Sequence, residues 1–392
     1  MNIKDEIARD HELLTAWRRD FHAHPELAFQ EERTSALVAE RLESFGVGVH
    51  RGLAGTGVVG QLTAGTGNRA IALRADMDAL PMDEGNDFDH VSRTPGVMHG
   101  CGHDGHTTML LGAAKYLAAT KQFDGTVYFI FQPAEEAEGG AEVMVKEGLF
   151  ERFPVESIYG MHNWPGMPVG EFAIAAGPMM AAFDIFNLVI RGRGSHAAMP
   201  HQGIDSIVMA SKVVDALQSI TSRNIDPIDS LVVSVTQIHG GDAYNVIPGE
   251  VVLNGTVRSF SEAVRDRVEP AMRRIADGVC AAFGGTAELH YERRYPATVN
   301  SVEETEHAVA AASSIVDKQK IDRSPVPSMG SEDFAYMLRE KPGSYVWVGN
   351  GAVEGSCMLH NPGYDFNDEI IPLGVTYWSE LVEQVLSADR SS

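Results

Sequence analysis

The densest chemistry in the chain lies in the run His99-Gly100-Cys101-Gly102-His103-Asp104-Gly105-His106. A thiol and an imidazole separated by one small glycine can turn toward a common point, and soft sulfur with borderline nitrogen suits a divalent transition metal. Leu110, Ala113, Ala114 and Leu117 follow at helical spacing, so the donors are expected on a glycine-rich loop that opens onto a helix. The loop alone also admits a solvated turn, or Cys101 as a lone nucleophile with a neighbouring histidine as its base.

Further donors recur along the chain. Asp76 and Asp78 alternate just past the strand-like run Ala70–Leu73, where ligands and their supports gather in α/β sheets. The apolar, β-prone run Thr126–Phe131 reads as a buried strand and ends on Gln132-Pro133-Ala134-Glu135-Glu136. Side chains at successive extended positions point opposite ways, so two adjacent carboxylates suit different tasks, one on metal and one on protons. They also fit a plainer role, complementing the N-terminal dipole of a following helix. A third strand, Ser157–Met161, delivers His162 at its end, and an isolated histidine, His360, lies in Met358-Leu359-His360-Asn361-Pro362.

The elements that must position these groups follow from the pattern. Two amphipathic helices broken at His24-Pro25 fill the first 45 residues, and a helix-like stretch at 303–316, a helix start at Ser328–Phe334, a strand at Ser344–Val348 and a final helix close the chain. Between them, from about Gly177, the order Phe183–Ile190, Asp205–Ser222, Leu231–Ile238, Val251–Val257, Ala263–Phe283 and Thr286–Tyr291 is βαββαβ, a small four-stranded α/β sandwich. The expected organisation is therefore a catalytic domain of residues 1–180 and 295–392 carrying an inserted domain of residues 181–294.

Composition sets the outer limits. At 392 residues, with 44% hydrophobic and 22% charged residues, the chain is long enough for a large core. Its net charge of −23 speaks against nucleic acid and against an anionic membrane surface as partners. Cys101, Cys280 and Cys357 are odd in number and far apart, no apolar leader is visible, and no stretch approaches the ~20 apolar residues that spanning requires. The expected compartment is the cytoplasm.

Together, Arg74–Pro81, the Cys101 loop, Gln132–Glu136, Gly194-Ser195-His196-Ala197-Ala198, Asn245-Val246-Ile247-Pro248, Gly255-Thr256-Val257-Arg258, Ser331-Glu332-Asp333-Phe334 and His360-Asn361-Pro362 resemble the hippurate hydrolase and N-acyl-L-amino-acid amidohydrolase branch of the metallo-aminoacylase and carboxypeptidase family. The match runs nearly end to end. The resemblance implies an α/β fold, with a mixed-sheet, dinuclear-metal aminopeptidase-like catalytic domain and an inserted lid or dimerisation domain. It implies two divalent metal ions, zinc or manganese with cobalt or nickel as alternatives, on Cys101, His103, Glu136, His162 and His360. Glu135 would be the general base, with Asp76 and Asp78 behind the ligands. In the inserted domain, His196 would donate to the developing oxyanion, and Arg258, Asn245 and Gly330 would bind substrate. Gly100 and Ser195 stand where alanine and glycine are common. The implied reaction is amide hydrolysis of an N-acyl-L-amino acid by a homodimer or higher homo-oligomer. A dipeptidase or carboxypeptidase and an N-acetyl-diaminopimelate deacetylase remain alternatives within the family. A cysteine amidase using Cys101 would leave Glu135, Glu136 and His360 idle, and a non-catalytic binding protein would have no use for both glutamates.

Overall fold

The structure, a computed structural model, describes residues 1–136, 139–351 and 357–388. The chain divides into two compact units, Met1–Met179 with Val299–Val326 and Asp333–Ser392, and Met180–Thr298 with Pro327–Glu332.

The first unit is built on an eight-stranded mixed sheet in the order Gly48–Leu53, Gly57–Ala64, Gly125–Gln132, Ala70–Asp76, Ser157–Pro165, Gly343–Gly351, Phe172–Ala173, Ile321–Asp322. Its four central strands, from Gly125–Gln132 to Gly343–Gly351, run parallel. They are buried on both faces, which is why they read as apolar runs without alternation. The parallel direction brings Asp76, Gln132 and Pro165 to one edge of the sheet, the edge where ligands bind in open α/β sheets.

Helix His103–Thr120 follows the Cys101 loop, as expected. Met109, Leu110, Leu111, Ala113, Ala114 and Leu117 are fully buried there, among helices His11–Ala23 and Ile371–Val385. Removing a side chain of leucine size from water stabilises by roughly 1.5–3 kcal/mol, so this stripe holds the helix start that carries His103. The first 45 residues form three helices, Asp5–Arg9, His11–Ala23 and Glu32–Ser44, instead of the expected two. Of the other elements that differ from the sequence reading, two bear on the site. Strand Ser157–Pro165 runs on past His162, because the neighbouring strand keeps pairing with it through Trp347↔His162 and Gly349↔Trp164. The helix expected to start within Ser328–Phe334 begins only at Ala335, since the carbonyls of Ser328 and Gly330 are taken by the Ala181 N–H.

The second unit has a four-stranded antiparallel sheet in the order Leu231–His239, Glu250–Ser259, Ala182–Arg191, Thr286–Arg293. Strand Ala182–Arg191 alternates between buried and half-exposed residues over most of its length, as a sheet with one covered face requires. Leu188, Ile190, Leu253 and Leu289 on that face pack with Met209 and Val213 of helix Ser206–Ser219 and with Val268 and Met272 of helix Glu262–Ala282. Asp205 starts the first of these helices by accepting the N–H groups of Ile207 and Val208, and the helix ends in a π turn at Ile220–Asn224. Among the described residues no helix is long and apolar enough to cross a membrane.

Candidate metal centre and active site

Gly102 fixes the local geometry of the Cys101 loop. It is left-handed, with φ +92°, and a Cβ there would stand 2.3 Å from Asn163 Oδ1. Only glycine combines that conformation with that clearance, and the turn swings Cys101 and His103 to the same side. Cys101 Sγ lies 3.4 Å from His162 Nε2. Donor atoms of Cys101, His103 and His162 lie within 4.8 Å of one another, as do those of Cys101, Glu136 and His360, and those of His103, Glu135 and Glu136. His360 Nε2 is 3.1 Å from Glu136 Oε1. All five expected ligands and the expected base are thereby brought into one cluster of the first unit.

The ring orientations suit a cation. The Nδ1 of His103 is 2.9 Å from the Asp78 carbonyl and that of His162 is 2.7 Å from the Asn163 carbonyl, so each Nδ1–H is donated to backbone. In that tautomer both Nε2 lone pairs face the cluster. His103 Nε2 is buried and has no hydrogen-bond partner among the described residues. Burial, then the charges of Glu136, Glu135 and Asp76, push the Cys101 thiol well above its ordinary value. Burial opposes protonation of His103, but Asp76, Asp78 and Glu136 raise it to about 10. A concentration of negative groups that draws in protons is the environment in which divalent cations bind and a thiol becomes a thiolate. The donor set fits a divalent metal pair.

Two backbone positions that carry this cluster are in the left-handed region without being glycine, Ala134 (φ 57°) and His360 (φ 60°). Each is tied down by its own N–H, Ala134 to Glu31 Oε1 at 2.9 Å and His360 to the Gly100 carbonyl at 2.8 Å. Such conformations cost about 1 kcal/mol or more and persist where the surroundings over-determine them. Glu31 is fully buried, and burial pushes its carboxyl up to about 7. Glu135 Oε1 accepts the Asp333 N–H at 3.3 Å, and the next helix starts at Gly140.

Asp76 and Asp78 sit behind the donors. Asp76 Oδ1 is 2.6 Å from His106 Nδ1 and Oδ2 takes Arg74 Nη1 at 2.8 Å; burial works against its charge, yet His103, His106 and Arg74 hold it well below the usual carboxylate range. Asp78 serves two neighbours, its carbonyl facing His103 and its Oδ2 accepting the Glu136 N–H at 2.9 Å.

In the second unit, His196 is exposed on a short strand paired with Val246-Ile247, and its Nδ1 accepts the Ala198 N–H at 3.0 Å. That leaves the proton on Nε2. Arg258 stacks over Phe183 at 4.1 Å and gives Nη1 to Ser331 Oγ at 3.0 Å and the Met329 carbonyl at 3.3 Å. Gly330 lies within that same segment, and the Asn245 carbonyl accepts the Ala197 N–H.

Sequence reasoning missed a buried ionic network under the loop. His22 lies with Nδ1 2.8 Å from Asp104 Oδ2 and Nε2 3.1 Å from Glu84 Oε1, and Arg18 bonds Asp365 and Asp368 with Asp104 at 3.5 Å. The signal was present: Arg18 and His22 continue the Leu14, Phe21 stripe of an amphipathic helix, where a charged residue needs a partner. Burial opposes the charge on His22, but Asp104 and Glu84 raise its pKa to about 9. A raised histidine stabilises fully below its unfolded value of about 6.5, and loses that stabilisation as pH rises through the folded value. His22→Gln is expected to lower stability by about 1.5–3 kcal/mol near neutral pH, since Asp104 and Glu84 lose a charged hydrogen-bond donor, but Asp104 keeps Arg18 and Glu84 keeps Asn86 and the Ser92 N–H. The decline of the wild-type melting temperature between pH 6.5 and 9 should flatten in the variant; parallel profiles in a calorimetric pH series would contradict this assignment.

The chain belongs to peptidase family M20/M25/M40, whose model matches residues 72–384. It is 38% identical over 386 residues to hippurate hydrolase from Campylobacter jejuni, covering 98% of this chain and 100% of the relative. It is 47% identical over 303 residues to N-acyl-L-amino acid amidohydrolase from Geobacillus stearothermophilus, covering 76% of this chain and 80% of the relative. The crystal structure of a dinuclear metal-binding peptidase of the M20 family from Bacillus subtilis superposes with a TM-score of 0.84 at 34% identity, covering 97% of this chain and 99% of the other. The protein is a hydrolase of the metallo-amidohydrolase type, and its donor cluster and family both support divalent metals.

Proposed function

We propose that this chain hydrolyses the amide bond of N-acyl-L-amino acids of the hippurate kind, releasing a carboxylate and a free amino acid, with Glu135 as the general base. The observation that carries this reading is the difference between the two adjacent glutamates. Glu136 shares a donor cluster with Cys101 and His360 that Glu135 does not join, while Glu135, which meets Glu136 and His103 in a neighbouring cluster, also accepts the Asp333 N–H. Two divalent ions, zinc or manganese with cobalt or nickel as alternatives, held by Cys101, His103, Glu136, His162 and His360, would polarise the scissile carbonyl and make water acidic. Glu135 takes the proton of the attacking water as the new C–O bond forms, then delivers it to the amide nitrogen as the C–N bond breaks, because an unprotonated amine leaves poorly. Asp76 and Asp78 keep the ligands in orientation.

The second unit supplies recognition. His196 presents Nε2–H, the tautomer that a donor to an oxyanion needs, and such a donor is worth roughly 3–4 kcal/mol in the transition state. Arg258 holds the substrate α-carboxylate, with Asn245 and Gly330 beside it. Its described hydrogen bonds use Nη1 only, which leaves Nε and Nη2 as a fork for a planar carboxylate. A homodimer completes the enzyme, with His196 acting on the partner subunit. Its support is that large apolar residues of the second unit, Met199, Ile207, Val208, Ile238, Tyr244 and Val246, are exposed to water. The acyl side is apolar and tolerant, since the motif residues offer it no ionic anchor.

Activity on a panel of benzoyl, indolyl and short N-acyl amino acids, their α-amides and dipeptides tests the reading, with chelation and metal add-back. The acylated acids should be the best substrates, and chelation should abolish turnover reversibly. A preference for dipeptides would assign a dipeptidase or carboxypeptidase, and restriction to a charged acyl group a diaminopimelate-pathway deacetylase. Arg258→Ala should raise KM for the free acids by about 100-fold, the cost of 2–3 kcal/mol in a charged hydrogen-bonded pair, and remove their advantage over the amides. An unchanged acid-to-amide ratio would take Arg258 out of the site.

A further inference from the structure

Glu135 belongs to a buried frame that its chemistry does not by itself require. Asp333, whose N–H reaches Glu135 Oε1, is fully buried, and its carboxylate is engaged from several directions. Arg74 Nη2 donates to Oδ1 at 3.0 Å, Gln132 Nε2 stands 2.8 Å from both oxygens, and the Ala141 N–H donates to Oδ2 at 2.8 Å. Arg74 closes the ring by donating Nε to Gln132 Oε1 at 2.7 Å and reaches on to Asp76. One carboxylate therefore grips the segment that bears Glu135 and Glu136 at both ends, by the Gln132 side chain before it and the Ala141 N–H after it. The approach at the far end is close: a Cβ on Gly140 would stand 1.8 Å from the Pro133 carbonyl oxygen.

We propose that Asp333 is a positioning residue for Glu135, setting the base through its own N–H and by clamping both ends of the loop that carries it, with Arg74 as the buried countercharge that keeps Asp333 in place. This rests on the reading of Glu135 as general base. A carboxylate offers acceptors in several directions at once, which an asparagine of the same volume does not, and asparagine would remove one of the two carboxylates, Asp333 and Asp76, that Arg74 reaches. Catalysis by a base is steep in geometry, a displacement of about 1 Å costing about 100-fold, whereas of the five proposed metal ligands only Glu136 stands on this segment and the other four are held elsewhere.

The test measures Asp333→Asn and Arg74→Lys, each alone and combined with Glu135→Gln, in metal-loaded protein, with metal content and melting temperature recorded beside the kinetics. In Asp333→Asn we expect kcat to fall about 10- to 100-fold, KM to stay within about twofold, and metal content to stay at the wild-type level. In the Glu135→Gln background the same change should lower the residual rate no further, since a residue that acts through Glu135 has nothing left to act on. Equal losses in both backgrounds, a loss that tracks metal content, or an unchanged kcat would overturn the proposal. If Asp333→Asn does not fold, Arg74→Lys keeps the charge but loses the fork, and the same comparison decides; there an unchanged kcat overturns it. Full activity of Glu135→Gln alone would instead show that the base was assigned wrongly, and the positioning role would fall with it.

Discussion

Glu135→Gln is expected to lower kcat by about 100- to 10,000-fold with bound metal unchanged. Glutamine fills the same volume and its side-chain oxygen can still accept the Asp333 N–H. What is lost is the ability to take and return a proton. Glu136→Ala is expected to do the opposite in order of events, losing metal first and activity as a consequence, because its carboxylate stands in the cluster with Cys101 and His360. Metal analysis beside steady-state kinetics separates the two. Loss of metal from Glu135→Gln, with retention in Glu136→Ala, would mean that the roles of the neighbours are exchanged.

The second large effect is expected at Cys101. Cys101 does stand at the N-terminus of helix His103–Thr120, but burial, with the charges of Glu136, Glu135 and Asp76, pushes its thiol well above the ordinary value, against the thiolate that a nucleophile needs. Under the proposed function Cys101 serves as a metal ligand and not as a nucleophile. Cys101→Ala should lose most bound metal and with it turnover, while Cys101→Asp should recover part of both with manganese, an ion that prefers oxygen donors. No acyl-enzyme should form on Cys101 under any condition. A covalent adduct found there by mass spectrometry after a rapid quench would restore the cysteine amidase reading.

The sequence by itself carried the donor inventory and much of the scaffold. Cys101 and His103 announced themselves by type and spacing, and the helix after them by its apolar period, because metal donors and helical stripes are both local patterns. The βαββαβ order of the second unit was equally legible, since each strand and helix there shows its own hydrophobic period. What a local pattern does not contain is which distant groups are brought together. Gln132 and Asp333 are far apart in the chain, and only the parallel pairing of Ala70–Asp76 with Gly125–Gln132 sets Arg74 beside Gln132 and within reach of Asp333. The extension of strand Ser157–Pro165 past His162 was likewise invisible, because a strand ends where its neighbour stops pairing and that neighbour comes much later in the chain. The same holds for Arg18 and His22, whose place on an apolar stripe said that partners must exist without saying that they are Asp104, Glu84, Asp365 and Asp368. Residue chemistry is written in the chain, but the pairing of buried charges is settled by tertiary packing, because a charge withdrawn from water is stable only beside the groups the fold puts there.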